Sequence, residues 1–180
     1  MNRSGYTIVQ AEAEVPAEEF VRRYVNLKDP AAGCRPCPDY GRYWTCPPYD
    51  VPAAEYWGRY RTVLLEGMQF HFTPAMLERR FDPEELSEYT RRLTAEQARR
   101  MDGHLRALYP GAAVLTTGGC AACTRPAGRP CRHPEAVGYS LESLGCDVGA
   151  AAWGELGWEL LWPRRDELPR YLTLLCAVLR

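Results

Sequence analysis

The stretch Arg61-Thr-Val-Leu-Leu-Glu-Gly-Met-Gln-Phe70 is rich in branched and aromatic side chains, a composition that favours a β-strand. Its nearly continuous apolar character predicts a strand at the centre of a sheet. Tyr6–Gln10 and Ala112–Thr117 predict two further strands. Near the C-terminus, Trp158–Trp162 and Tyr171–Leu179 predict a strand pair, with a helix as the alternative for the final run.

Helical signals lie between these strands. Pro16 is suited to the first turn of a helix that begins near Val15, and a short helix is predicted over Val51–Trp57. The clearest helical region is Asp82–Tyr109, which opens with an acidic cap and a first-turn proline. A second cap pattern at Thr94 suggests two helices with a bend. Strands alternating with helices predict an α/β protein, with α+β as the alternative, in which a mixed sheet is flanked by helices.

Length and charge limit the architecture and the partners. A chain of 180 residues fits one domain, so we expect a single metal-binding domain over residues 1–180. The net charge of −1 does not favour nucleic acid or an anionic membrane as a partner. There is no apolar leader sequence, and the longest apolar run, Leu172–Leu179, is too short to span a membrane. We therefore expect a cytoplasmic protein, without nucleic-acid or membrane binding, whose redox or protein partner is unknown.

Six of the eight cysteines form two similar sets. Cys34-Arg-Pro-Cys37-Pro-Asp-Tyr-Gly-Arg-Tyr-Trp-Thr-Cys46-Pro-Pro-Tyr49 has the spacing C-x2-C-x8-C, and the second set, between residues 120 and 134, has C-x2-C-x7-C. The cysteines of the second set are Cys120, Cys123 and Cys131. Cytosolic cysteines at this spacing are typical of metal ligands or redox dithiols. Because prolines and glycines interrupt both sets, we expect them to lie in loops at 34–49 and 120–134.

Two metal arrangements are compatible with three cysteines per set. Each set can hold one iron–sulfur cluster, with the fourth position open or filled by another residue. Alternatively, all six cysteines converge, with Cys34, Cys37, Cys120 and Cys123 forming a tetrahedral zinc site. His133, two residues after Cys131, is a candidate nitrogen donor for a Cys3His site.

The sequence also allows a redox interpretation of the first cysteine pair and predicts the roles of the two cysteines outside the sets. Cys34-Arg-Pro-Cys37 has the form of a redox dithiol, but Gly33 before it and Pro38 after it do not provide the strand and helix that such a motif needs. Cys176 lies in an apolar run and is predicted to be a core thiol. Cys146 follows a helix-ending glycine and is predicted to be structural.

The motifs in combination resemble a known family. The first set with Cys46-Pro-Pro-Tyr49, the second set with Cys131-Arg-His-Pro134, and then Ser140-Leu-Glu-x-x-Gly145-x-Asp147-Val148, resemble the prokaryotic predicted metal-binding protein family DUF2284. The resemblance implies metal or iron–sulfur binding without a defined activity. It also implies that Cys34, Cys37, Cys46, Cys120, Cys123 and Cys131 are the ligands.

Three functions follow as hypotheses. The first is an iron–sulfur protein, of the 4Fe-4S type, that transfers electrons or presents its cluster to a partner. The second is a structural zinc protein that acts as an interaction module. The third is an enzyme with an open cluster site, for which Arg132, His133, Glu142 and Asp147 would have to line a cavity beside the sulfurs. The sequence assigns no catalytic residue and does not decide whether the protein is an enzyme.

Overall fold

The computed structural model describes residues 5–49, 51–117, 131–132 and 138–180. Four strands and five α-helices are described there, together with a 3₁₀ turn and a wider helical turn. In chain order they are β1 (Tyr6–Pro16), α1 (Ala17–Tyr24), α2 (Ala53–Trp57), β2 (Thr62–Phe72), α3 (Pro74–Glu78), α4 (Pro83–Leu108), β3 (Ala113–Leu115), the 3₁₀ turn (Glu142–Leu144), α5 (Val148–Ala151), the wider turn (Ala152–Leu156) and β4 (Tyr171–Leu179).

The four strands form one sheet in the order β1-β2-β4-β3. Every neighbouring pair is antiparallel, with Glu12 opposite Glu66 in the first pair and Glu66 opposite Cys176 in the second. The α/β class is confirmed, and β2 is central as expected. The mixed sheet is corrected to an antiparallel one, since the single parallel element among the described residues is a bridge from Thr116 to Ser140.

Side chains of β2 and β4 alternate between two buried faces. The face that we call the helix face lies under α4, which contributes Leu86, Leu93, Met101 and Leu105 to its core. The amphipathic period of α4 places these residues on one stripe, and Asp82 caps the helix by accepting a hydrogen bond from Glu84 N at 2.9 Å. A helix of 26 residues is therefore anchored along most of its length.

The opposite face, which we call the loop face, is covered by short pieces of structure. Phe20 and Tyr24 of α1, Trp57 of α2, and Leu141 and Leu144 near the 3₁₀ turn pack on it. The gap between this cover and the sheet is narrow at Gly67 of β2. A methyl group there would lie 2.6 Å from the Trp158 ring, so glycine permits the close approach.

Two expectations about local structure are corrected. The Asp82–Tyr109 region contains one continuous helix, because Thr94 turns its hydroxyl back to the Thr90 carbonyl at 2.9 Å instead of capping a new helix. Trp158–Trp162 is not a strand, because Trp158 and Leu160 pack on the loop face from an irregular segment.

Among the described residues, no helix combines the length and the apolar character needed to cross a membrane.

Candidate metal centre

The first cysteine set, residues 34–49, folds as a chain of tight turns. The N–H of Cys37 donates to the Cys34 carbonyl at 2.9 Å, and the N–H of Cys46 donates to the Tyr43 carbonyl at 3.1 Å. Gly41 adopts a positive φ of 69°, a conformation that side-chain-bearing residues rarely adopt. The prolines and this glycine explain why a segment rich in thiols forms neither helix nor strand. We call this segment the first cysteine loop.

A second segment, which we call the platform, spans residues 139–147 and lies beneath the first cysteine loop. Its turn is fixed by two serines, since each backbone N–H of Ser140 and Ser143 donates to the hydroxyl oxygen of the other at 3.1 Å. Both serines are buried. Gly145 then ends the 3₁₀ turn in a left-handed conformation with φ 89°. The platform is therefore a turn that is held by hydrogen bonds within the segment.

The chain leading into the first cysteine loop docks directly on the platform. The N–H of Asn26 donates to the Gly145 carbonyl at 2.9 Å, and the Cys34 thiol donates to the Glu142 carbonyl at 3.7 Å. A methyl group on Gly145 would lie 2.9 Å from the Pro30 Cα. Glycine is thus required at position 145 for its φ angle and for the approach of Pro30.

Aromatic side chains join the far end of the first cysteine loop to the platform. The ring of Tyr49 packs edge-on against that of Tyr139 at 4.9 Å, and Tyr56 contacts Tyr139 at 5.4 Å. Trp57 is buried and donates from Nε1 to the Leu144 carbonyl at 3.1 Å. The sequence analysis missed Tyr139 and Trp57, because neither lies in a cysteine motif and their contacts join residues far apart in the chain.

The three thiols of the first cysteine loop lie close enough to influence one another. Burial is the main cause that raises the pKa of Cys34, and the negative charges of Glu142, Cys37 and Cys46 add to it. A cluster of thiolates is therefore unfavourable unless a cation compensates for their charge. Cys34 and Cys46 are partly buried and Cys37 is exposed, so the set opens towards solvent.

Glu142 and Tyr49 have raised pKa values for the same reason. Burial raises the pKa of Glu142, against the effect of hydrogen bonds from its own backbone and from Ser140. Burial also raises the pKa of Tyr49, and the charges of Tyr139, Cys34 and Cys46 act in the same direction. Tyr49 donates its hydroxyl to the Thr45 carbonyl at 2.5 Å. Tyr49 is therefore neutral and lies near Cys34 and Cys46 on the inner side of the first cysteine loop.

The second cysteine set lies mostly outside the described residues, which omit Cys120, Cys123 and His133. Cys131 is partly buried and Arg132 is exposed. The described residues on either side of the second set, Thr116 and Tyr139, are in contact, since the N–H of Thr116 donates to the Tyr139 carbonyl at 2.8 Å. The chain that carries the second set therefore leaves and re-enters the described structure next to the platform that holds the first.

The other candidate residues have structural roles. Cys176 is fully buried in the core of the helix face, and Cys146 is buried beside α1 through its bridge to Val25, as predicted for both. Asp147 caps α5 by accepting a hydrogen bond from Ala150 N at 2.9 Å. That contact explains Asp147 without a role in chemistry.

The donor chemistry fits a metal group, because one loop supplies three free thiols and that of Cys34 contacts the platform. Within the described ranges, however, no three His, Cys, Asp or Glu side chains are grouped so that they could hold one metal ion. The described donors therefore need donors from the second set, or a metal group larger than one ion, to form a complete site.

These features define a class of protein in which an antiparallel sheet carries a cysteine loop docked on a turn. A family model described as predicted metal-binding protein (DUF2284) matches residues 22–179. The chain therefore belongs to this metal-binding family. No curated protein and no solved structure is significantly similar to it.

Proposed function

We propose that the protein binds iron–sulfur clusters of the 4Fe-4S type, one in each of its two cysteine sets, with the fourth position of each cluster open or filled by another residue. In this proposal the ligands are Cys34, Cys37 and Cys46 in the first set and Cys120, Cys123 and Cys131 in the second. When bound, such a cluster supplies one-electron chemistry at a potential set by its type, its hydrogen bonds and its exposure. The role is electron transfer or presentation of the cluster to a protein partner.

The observation that carries the proposal is the number and sequence spacing of the cysteines, C-x2-C-x8-C in the first set and C-x2-C-x7-C in the second. A structural zinc site needs four donors, so three cysteines per set leave it one donor short. An iron–sulfur cluster can be held by three cysteines while its fourth position is open or filled by another residue. We therefore favour iron–sulfur over the structural zinc alternative.

The surrounding residues support ligand binding in three ways. Gly145 and Asn26 fix the first cysteine loop on the platform, so that less conformational entropy is lost when the thiolates are held. Tyr49 and Tyr139 shield one side, while exposed Cys37 leaves the other side open to a partner. We propose a cytoplasmic location, since a reducing compartment keeps cysteines available as ligands.

The test is to purify the full chain without oxygen and to measure iron, acid-labile sulfide and zinc. We expect iron and sulfide in equal amounts, and loss of about half of both in Cys37→Ala, which removes a ligand of the first set only. Cys37 is exposed, so its removal does not disturb the core. Cys176→Ala is the matched control, because Cys176 is buried on the opposite face of the sheet and should leave metal content unchanged.

Two outcomes would overturn the proposal. One zinc per chain without sulfide, together with unfolding on chelation, would instead establish the structural zinc site. Protein with neither metal nor sulfide, even after anaerobic reconstitution, would remove metal binding through these cysteines altogether.

A further inference from the structure

The outer edge of β1 is long and open. β1 is the first strand in the sheet order and contains eleven residues, whereas β3 at the opposite edge contains three. No strand in the described part of the chain pairs with the outer side of β1. An open edge presents backbone N–H and C=O groups that can pair with another extended segment.

The hydrogen-bond register identifies which residues present those groups. At the two ends of β1, Thr73 N donates to the Gly5 carbonyl at 2.9 Å and Ala17 N donates to the Arg61 carbonyl at 2.8 Å. Backbone groups in an antiparallel ladder alternate between the two sides of a strand. The odd-numbered residues of β1 therefore bond to β2, and Ile8, Gln10 and Glu12 direct their backbone groups outwards.

The edge also lacks the usual features that prevent pairing. Residues 6–11 contain no charged side chain and no proline. In the middle of the strand, Ile8 is 46% and Val9 is 44% exposed, so two branched apolar side chains face solvent on opposite faces of the sheet. Natural edge strands usually carry lysine, proline or a bulge at such positions.

We propose that β1 pairs antiparallel with β1 of a second copy of this chain, around a two-fold axis at Val9. This register is the one that the side chains favour. It sets Val9 opposite Val9 of the second copy, where branched side chains contact one another on the loop face. It also sets Ile8 opposite Gln10, so the outward backbone groups of both residues are paired.

The charges of β1 fit the same register. Glu12 faces Tyr6 of the other copy, and the two copies of Glu12 then lie six residues apart along the strands, about 20 Å at the usual rise per residue. This distance exceeds the screening length at physiological salt, about 8 Å. Glu14 already pairs with Arg180 at 2.7 Å within its own chain. The two four-stranded sheets then join into one sheet of eight strands.

The experiment is sedimentation equilibrium of the full chain with reductant, at concentrations up to about 500 μM. We expect a mass twice the 20.4 kDa of one chain, with a Kd in the micromolar range. Val9→Lys places two like charges at the two-fold axis and should weaken the dimer at least about 10-fold. Gln10→Pro removes an outward N–H without removing a bond to β2, and it should weaken the dimer similarly.

The matched control is Val51→Lys, which makes the same change at a valine that is 39% exposed and lies just before α2. It should leave the dimer intact, and circular dichroism should show that all three variants are folded. If the natural chain is monomeric at every concentration, the proposal is overturned. This holds even if β1 pairs with a different protein. A dimer that survives both edge substitutions would overturn it as well. The assay is independent of metal content.

Discussion

The two faces of the sheet are covered in different ways. On the helix face a single helix of 26 residues supplies most of the cover, and its contacts repeat with the helical period. On the loop face the cover consists of short helices, the platform and the first cysteine loop, joined by contacts between residues far apart in the chain. The helix face provides continuous apolar burial, and the loop face provides specific positions such as Gly145 that hold thiols in place. The candidate site therefore lies on the face whose cover is assembled from short segments.

Leu105→Ala should produce the largest effect, because it removes a fully buried side chain of α4 from the core of the helix face. Leu105 is 1% exposed, so the substitution should lower the free energy of unfolding by about 2–5 kcal/mol in a denaturant titration. Leu108→Ala on the same helix is the control and should change it by less than about 0.5 kcal/mol. Equal losses in the two variants would contradict the packing described for α4.

Gly145→Ala tests the loop face at the contact between the first cysteine loop and the platform. The added methyl group meets Pro30, and alanine must adopt a φ that is unfavourable for it. The substitution should therefore lower the free energy of unfolding by about 1–3 kcal/mol. In metal-free protein, alkylation of Cys34 should become faster relative to that of exposed Cys37, because the loop detaches from Glu142. Gly103→Ala in α4 is the control.

Gly103 has open space around it and is helical, so its substitution should stabilise the protein by about 0.5–1 kcal/mol. Unchanged alkylation of Cys34 in Gly145→Ala would mean that the platform does not hold the loop.

Tyr24→Phe should have the smallest effect, and it tests how α1 is attached to the wider turn on the loop face. Tyr24 donates its hydroxyl to Glu155 at 2.5 Å, and burial followed by this hydrogen bond raises the pKa of Tyr24 to about 12. An unfolded tyrosine titrates near 10. The stabilisation by this hydroxyl is therefore complete below pH 10 and is lost as the pH rises through about 12.

The natural protein should lose stability over that pH range more steeply than Tyr24→Phe in denaturant titrations. Parallel curves for the two proteins would show that the Tyr24 hydroxyl does not titrate with a raised pKa. All other tyrosines are common to both proteins, so the difference between the curves isolates Tyr24.

Several elements were predictable from the sequence because their signals are local. The apolar run of β2 and the capped, periodic pattern of α4 both identified buried elements of the correct type. Trp158–Trp162 has a similarly apolar composition, yet it forms no strand, because its side chains pack on the loop face instead of joining the sheet. An apolar composition indicates that a segment is buried, but it does not indicate whether the backbone of that segment pairs with a neighbouring strand. The bend expected at Thr94 failed for a related reason, since a hydroxyl can bond back within a helix.

The sequence by itself determined the central strand, the long helix, the spacing of the cysteines and the place of the first set in a loop, because each depends on residues that are neighbours in the chain. The tertiary structure alone decided that the strands are antiparallel, that the platform receives the first cysteine loop, and that Gly145 must lie against Pro30. These features depend on contacts between residues that are far apart in the chain, for which the local pattern carries no signal. The open edge of β1 was likewise decided by the tertiary structure, because the order of the strands in the sheet determines which strand lies at its edge.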